Sequence, residues 1–125
     1  MAQLARLAGV ALAISLLCSC GVTALSPYSP ASTETCLRAY GATVTATGGD
    51  FIARTAIRGS AAVTIKGKKL SIAFALSSVG AETILLTDRQ NGGTVGTRLY
   101  KKNSAVLTWY DEPGSAKSIV DACLR

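Results

Sequence analysis

The sequence contains no histidine among its 125 residues. Without an imidazole, the chain cannot build a Ser-His-Asp or Cys-His catalytic centre, and it cannot hold a metal ion through histidine. Its one pair of neighbouring carboxylates, Asp111 and Glu112, precedes Pro113 and Gly114, a turn composition in which acidic side chains are usually hydrated. We therefore predict a protein that is not an enzyme and that uses neither a cofactor nor a metal ion.

Acidic and aromatic residues are also scarce. Lysine and arginine number 13 against 7 aspartates and glutamates, which gives a formal net charge of +6, and aromatic residues make up 6% of the chain. The positive charge favours anionic partners such as lipid head groups, acidic glycans or an acidic protein. Because few aromatic side chains are present to stack on bases, we do not expect nucleic acid among the partners.

The sequence also lacks an apolar run of the roughly 20 residues that a bilayer-spanning helix needs. Residues 7–17 form a shorter apolar segment after Arg6, with the length of the hydrophobic region of a secretory signal peptide. The following LCSC at residues 17–20 resembles the lipobox of bacterial lipoproteins, in which a cysteine is acylated and becomes the new N-terminus. The resemblance implies a signal peptide over residues 1–19, lipidation of Cys20 and attachment to the membrane through the lipid.

The point of cleavage decides where the protein resides. Acylated Cys20 is followed by Gly21 and not by aspartate, the inner-membrane retention mark of enteric lipoproteins, so we expect the outer membrane rather than the inner one. Cleavage after Ala24, at a small-residue site, is the alternative and gives a secreted or periplasmic protein. Residues 20–35, rich in proline, serine and threonine, are expected to tether a domain over residues 36–125.

The four cysteines allow three pairings. Processing at the lipobox removes Cys18 and commits Cys20 to the lipid, so that Cys36 and Cys123 remain. Export to an oxidising compartment favours a disulfide between these two. The loop that it closes spans almost the whole domain, for which chain entropy predicts about 4–5 kcal/mol of stabilisation.

Between these cysteines, apolar residues alternate with polar ones, and turn residues interrupt them at intervals of about eight to eleven positions. The clearest pattern is a hairpin over residues 63–76 with its turn at Gly67. The other predicted strands are residues 43–47, 51–57, 83–87, 95–101, 105–110 and 117–123. We predict an all-β domain, a small antiparallel meander barrel or sandwich of about seven or eight strands closed by one disulfide. Residues 116–124 fit a helix as an alternative.

Two short segments, SSVGA at residues 77–81 and LYKKNSA at residues 99–105, lie between the cysteines. They resemble the Ser-Ala-Ser-Gly-Ala loop and the Phe-Trp-x-Lys-Gly segment of the lipid-anchored and periplasmic inhibitors of C-type lysozyme. The resemblance covers residues 36–123 and implies a β-barrel whose loops enter the lysozyme cleft. The predicted binding residues are Ser78, Gly80 and Lys102. Val79 stands where the family has its second serine.

The sequence leaves two functions open. The first is a lipid-anchored binding module of the cell envelope that recognises a protein or an anionic envelope component, with inhibition of C-type lysozyme as its most specific form. Its contacts are expected in residues 78–82 and 101–104. The alternative is a structural or accessory lipoprotein of an envelope assembly such as a secretion, conjugation or pilus machine. A binary complex would favour the first function, whereas co-purification with a multi-protein complex would favour the second.

Overall fold

The structure, a computed structural model, describes residues 28–125 of the chain. Within this range the backbone forms three α-helices, one 3-10 helix and five β-strands. In chain order the elements are α1 (Pro30–Ala39), β1 (Thr43–Ala46), the 3-10 helix (Ala53–Thr55), β2 (Ser60–Ile65), β3 (Lys68–Phe74), α2 (Ser78–Gln90), β4 (Leu99–Lys102), β5 (Ala105–Trp109) and α3 (Ala116–Cys123). The signal peptide predicted over residues 1–19 and the predicted lipidation site Cys20 lie outside the described residues.

The five strands form one antiparallel sheet in the order β1-β2-β3-β5-β4, with β1 and β4 at its edges. Its centre contains the predicted hairpin, in which β2 pairs with β3 so that Val63 lies opposite Leu70. Lys66 and Gly67 form the turn, and both have a positive φ, of 50° and 74°. On its other side β3 pairs with β5, so the hairpin strand with the strongest alternation lies in the middle of the sheet.

Both faces of the central strands are covered, each by different helices, whereas the edge strand β1 is mostly exposed. Large side chains such as Ile72, Phe74 and Trp109 project to one face, where Leu37 of α1 and Val120 of α3 cover them. Smaller side chains project to the other face and pack against α2 and the 3-10 helix. The buried residues of this second cluster are Ala53, Ala73, Ala75, Ala81, Leu85, Leu99 and Val106. The sheet is therefore the middle of three layers.

The domain has a mixed α/β architecture, so the prediction of an all-β domain is wrong, whereas the antiparallel sheet is confirmed. Five strands replace the seven or eight that the turn spacing indicated, and the sheet ends at two edge strands instead of closing into a barrel. The reason lies partly in alanine. Because Ala73 and Ala75 carry little hydrophobic signal, the sequence does not indicate that their side of the hairpin is buried, although α2 covers it.

Residues 83–87, predicted as a strand, lie inside α2. Ser77 caps this helix, and its hydroxyl accepts the Gly80 N–H at 3.1 Å. Ala81 and Leu85 are spaced four residues apart and form the buried side of the helix. A short apolar run fits a buried strand and a helix equally well, so the alternation alone could not distinguish the two.

Two other segments also differ from the prediction. Residues 30–35, expected in the flexible tether, form the first turns of α1, because Ser29 caps this helix and Pro30 occupies its first turn. Residues 51–57, expected as a strand, contain the 3-10 helix instead. There the carboxylate of Asp50 accepts a backbone N–H of the first turn at 2.8 Å, which favours a helical turn over an extended strand.

The predicted disulfide between Cys36 and Cys123 is present, with the two Cα atoms 5.6 Å apart. It joins α1 to α3 on the same side of the sheet. The α3 helix occupies the segment for which the sequence allowed a helix as the alternative to a strand. With a sequence separation of 87 residues, the bond connects the two ends of the described domain.

Candidate functional site

The first turn of α2 contains two of the predicted binding residues, Ser78 and Gly80. The Ser78 hydroxyl accepts a hydrogen bond from the Lys101 ammonium at 3.1 Å, and Lys101 Nζ also lies 3.2 Å from Glu82 Oε2. A Cβ at position 80 would lie 3.4 Å from the Cβ of Ala75, so this turn packs against the residue that follows β3. The turn therefore combines a polar cluster with an apolar contact.

Lys102, the third predicted binding residue, lies on the opposite face of the sheet. Successive residues of a strand project to opposite faces, so Lys101 points toward α2 and Lys102 toward α3. The Lys102 ammonium donates to the main-chain carbonyl of Asp121 at 2.5 Å, close to the C-terminus of α3, where a cation is favoured. The structure does not bring Lys102 together with Ser78 and Gly80; the lysine beside Ser78 is Lys101.

A chain of hydrogen bonds connects β5 and β4 to α3. The indole N–H of Trp109, which is 2% exposed, donates to the Tyr100 hydroxyl at 3.2 Å. That hydroxyl donates to Asp121 Oδ1 at 3.0 Å, and the Lys117 ammonium lies 2.6 Å from Asp121 Oδ2 and 4.6 Å from the centre of the Tyr100 ring. Burial raises the pKa of Tyr100, so the phenol stays protonated and the chain of hydrogen bonds keeps its direction.

A cleft of about 490 Å³ lies beside the C-terminal end of α2 and contains a perturbed acid, Asp88. Burial and the nearby carboxylate of Asp50 raise the pKa of Asp88 to about 6. Asn91 and Thr108 add an amide and a hydroxyl to the lining, while the Arg98 guanidinium donates to main-chain carbonyls at the end of β5. A partly buried carboxyl with a raised pKa that lines a cleft marks a candidate site for a polar ligand.

Sequence reasoning missed Asp88 because nothing in its immediate neighbourhood along the chain marks it. Its surroundings come from residues that are distant along the chain: the Asp50 carboxylate contributes to its raised pKa, and Ile52 and Thr108 line the same cleft. Within residues 28–125, no group of three or more histidine, cysteine, aspartate or glutamate side chains is arranged to hold a metal ion.

Three large apolar side chains are exposed near the first turn of α2: Ile57 is 79% exposed, Leu76 53% and Val79 77%. We call these three residues the apolar rim. Ile57 and Leu76 border a cavity of about 220 Å³ whose floor includes Ala75 and Ile84. The predicted hairpin extends to residue 76, but β3 ends at Phe74, which leaves Leu76 in the connection to α2. Clustered exposure of this kind is typical of a contact surface.

The apolar rim and the Asp88 cleft lie at opposite ends of the sheet. The rim is at the end where β3 finishes and β5 begins, and the cleft is at the end where β4 begins and β5 finishes. The α2 helix runs from one to the other. A ligand in the cleft and a partner on the rim would therefore contact different parts of the domain.

The chain was compared with protein-family models, curated proteins and solved structures, and no match was found. The function must therefore be inferred from the residues and their arrangement. None of the helices between residues 28 and 125 has both the length and the apolar character that crossing a membrane requires.

Proposed function

We propose that the protein is a lipid-anchored, non-enzymatic binding domain of a bacterial cell envelope, with Cys20 as its acylated residue. The observation that carries this proposal is the disulfide between Cys36 and Cys123. Such bonds form and persist in oxidising compartments and are rare in the cytosol. A domain closed in this way needs an export signal, and the apolar residues 7–17 followed by a lipobox-like segment supply one.

The charge of the domain supports an anionic partner. Subtracting Arg6 from the 13 basic residues leaves 12 against 7 acidic residues, a formal charge of +5 for residues 28–125. Lys66, Lys68 and Lys69 belong to the β2–β3 hairpin, at the end of the sheet opposite the apolar rim. Positive charge concentrated on a projecting turn attracts acidic glycans, lipid head groups or acidic proteins.

We expect the outer membrane rather than the inner one as the site of attachment.

Inhibition of C-type lysozyme is the most specific form of this proposal, and the geometry supports it less than the general form. The inhibitor family is a closed barrel, whereas this sheet is open, and Lys102 is bonded to Asp121 across the sheet from Ser78. A lysozyme assay tests this form directly. If the protein inhibits, Lys102→Ala should weaken inhibition; if lysozyme stays fully active, this form of the proposal is wrong.

Acylation is tested by expressing the full chain in a bacterium supplied with labelled palmitate. We expect the wild type and Cys18→Ala to carry the label and to fractionate with the outer membrane, and Cys20→Ala to carry none. The Cys18 variant is the matched control, because this cysteine lies two residues away and is removed with the signal peptide. Mass spectrometry of the mature N-terminus should then give acylated Cys20.

Two results would contradict the anchor. A free N-terminus at Leu25 would show a soluble exported protein, and an intracellular chain with reduced cysteines would show that export does not occur. The alternative function, an accessory lipoprotein of an envelope assembly, predicts that the acylated protein co-purifies with a multi-protein complex from detergent-solubilised envelopes. Recovery as a single species that binds a defined anionic ligand would favour the binding module.

A further inference from the structure

The described chain enters the domain at the same end of the sheet as the apolar rim. The Tyr28 N–H donates to the Ser104 hydroxyl at 3.1 Å, and the Ser104 carbonyl accepts the N–H of Ala75 at 2.8 Å. Ala75 precedes Leu76 of the rim and lines the cavity below it. A surface to which the chain ahead of Tyr28 is attached therefore keeps this end of the domain close to that surface.

The chain between the proposed anchor and the domain is short. Cys20 and Tyr28 are eight residues apart, and an extended chain spans at most about 3.6 Å per residue, or about 29 Å in total. The α1 helix begins at Pro30, so residues 30–35 add no length to this connection. A leash this short gives the rim a high effective concentration at the surface that holds Cys20.

From this arrangement we infer that the apolar rim rests on the anionic bilayer surface to which the lipid of Cys20 is attached. This inference rests on the proposed function, since it takes acylated Cys20 as the anchor. Ile57, Leu76 and Val79 insert into the boundary between head groups and acyl chains, the depth at which exposed apolar side chains of peripheral proteins reside. The domain is therefore oriented with the apolar rim toward the bilayer.

The charges around the rim suit an anionic surface. Arg54 and Arg58 are exposed and stand on either side of Ile57 along the chain. The Arg58 N–H donates to the carbonyl of Phe74 at 3.0 Å, which fixes this residue beside the end of β3. Glu82, the acidic residue nearest to Val79 in sequence, is paired with Lys101, so its charge is compensated. Basic side chains close to anionic head groups are attracted within about one Debye length.

This orientation places the lysine-rich hairpin away from the membrane. Lys66 lies at the far end of β2 from Ser60, and six residues of extended strand correspond to about 20 Å. The cations of the hairpin would then face other envelope components rather than the bilayer that holds the anchor. The rim and the hairpin thus serve different partners, and the two can be tested separately.

The test uses a fluorescent label at one introduced cysteine of the acylated full chain. In the mature protein Cys18 is removed, Cys20 is acylated and the other two cysteines form the disulfide, so the introduced thiol is the reactive one. An environment-sensitive NBD label is attached at Val79→Cys and, as the control, at Lys69→Cys on the hairpin. The protein is inserted into vesicles that contain phosphatidylglycerol or into vesicles of phosphatidylcholine.

We expect emission from the Val79 label to rise at least twofold in phosphatidylglycerol vesicles, less in phosphatidylcholine, and to be quenched by lipids that carry a nitroxide near the head group. The Lys69 label should change little. Replacing Ile57 and Leu76 with serine should remove more than half of the rise. Val95→Ser, at an apolar position 44% exposed and remote from the rim, should leave it intact. Thermal melts verify that each variant is folded.

The controls separate failure of the inference from failure of the proposed function. Mass spectrometry of the same samples reports acylation. If Cys20 is acylated and the Val79 label stays unchanged in both vesicles, the rim does not contact lipid and the inference is overturned while the anchor stands. If Cys20 carries no lipid, the anchor fails, and rim-dependent co-sedimentation of the full chain with phosphatidylglycerol vesicles then decides whether the rim still binds lipid.

Other occupants of the rim give a different result. The double variant Cys18→Ala and Cys20→Ala, labelled at Val79→Cys, is measured in buffer without lipid or detergent, because Cys18 is not removed when Cys20 is absent. Bright emission there, before vesicles are added, would mean that residues 1–27 or a second copy of the chain cover the rim, and would overturn the assignment to lipid. The inference requires weak emission from the Val79 label in buffer.

Discussion

Removing the disulfide should lower the melting temperature of the domain by about 20 °C. The bond closes a loop of 87 residues, for which the chain-entropy relation gives about 4–5 kcal/mol at 25 °C. Unfolding entropy near the melting point is about 2.1 cal/mol/K per residue, or about 200 cal/mol/K over residues 28–125. Dividing the loop-closure free energy by this unfolding entropy gives the expected shift of the melting temperature.

The perturbation is the double variant Cys36→Ala and Cys123→Ala. Alanine is chosen because Cys123 is 6% exposed, so a polar replacement would add a cost of its own. Both this variant and the reference protein, called the wild type in this comparison, carry alanine at Cys18 and Cys20, which prevents other pairings. Thermal unfolding is followed by circular dichroism with and without reductant. The reduced wild type should melt close to the double variant, and reductant should leave the double variant unchanged.

A shift of less than about 5 °C would refute this reasoning. It would mean that the reduced unfolded chain is already so compact that closing the loop removes little entropy. The covering of the sheet by α1 and α3 would then rest on packing alone, with Leu37 and Val120 as its buried contacts.

Two further predictions concern polar groups. The pKa of Asp88 is raised to about 6 from 3.8, which means that ionisation of this carboxyl destabilises the folded state. Because the carboxyl is partly hydrated, we expect Asp88→Asn to raise the free energy of unfolding at pH 7.5 by about 1 kcal/mol, measured by urea titration. This gain should disappear as the pH falls from 6 to below 3.8. Tyr100→Phe should cost about 1–3 kcal/mol, because the Trp109 N–H loses its acceptor, and should change the tryptophan emission, whereas Tyr110→Phe on the surface should do neither. If the stability difference between Asp88→Asn and the wild type did not depend on pH, the raised pKa of Asp88 would be wrong. If Tyr100→Phe kept the stability and the tryptophan emission of the wild type, the hydrogen bond from Trp109 would be wrong.

The sequence predicted those parts of the fold in which the signal is local. The β2–β3 hairpin combines large apolar residues on one parity with a turn at Gly67, and Ala105–Trp109 is a short apolar run between turn residues, so both elements match the prediction. The disulfide followed from the number of cysteines that processing leaves. Each of these features depends on neighbouring residues or on a count.

The remaining parts depend on tertiary contacts. Ala73 and Ala75 became buried only because α2 packs on them, and residues 83–87 became helical because Ala81 and Leu85 face that alanine surface. A local pattern contains no information about this second layer. The helix therefore replaced a strand that alternation alone had favoured.

The candidate site also depends on tertiary contacts that the local sequence does not reveal. Ser78 lies beside Lys101 of β4, whereas Lys102, the lysine that the sequence grouped with Ser78, belongs to the other face of the sheet. One residue along a strand reverses the side chain's direction, so an error of one position moves a side chain across the sheet. The neighbours of Asp88 include Asp50 and Ile52, which are distant from it in the sequence, so no local pattern marks this acid.

The link between α1 and α3 also determines how the domain responds to mechanical load. A pull on the chain ahead of Tyr28 can unwind residues 28–35, but it then meets the covalent bond at Cys36. When the opposing force acts on the chain after Cys123, the load passes directly across the disulfide and bypasses the sheet, since all five strands lie between the two cysteines. Such a pull would release about two turns of helix and leave the five strands without tension.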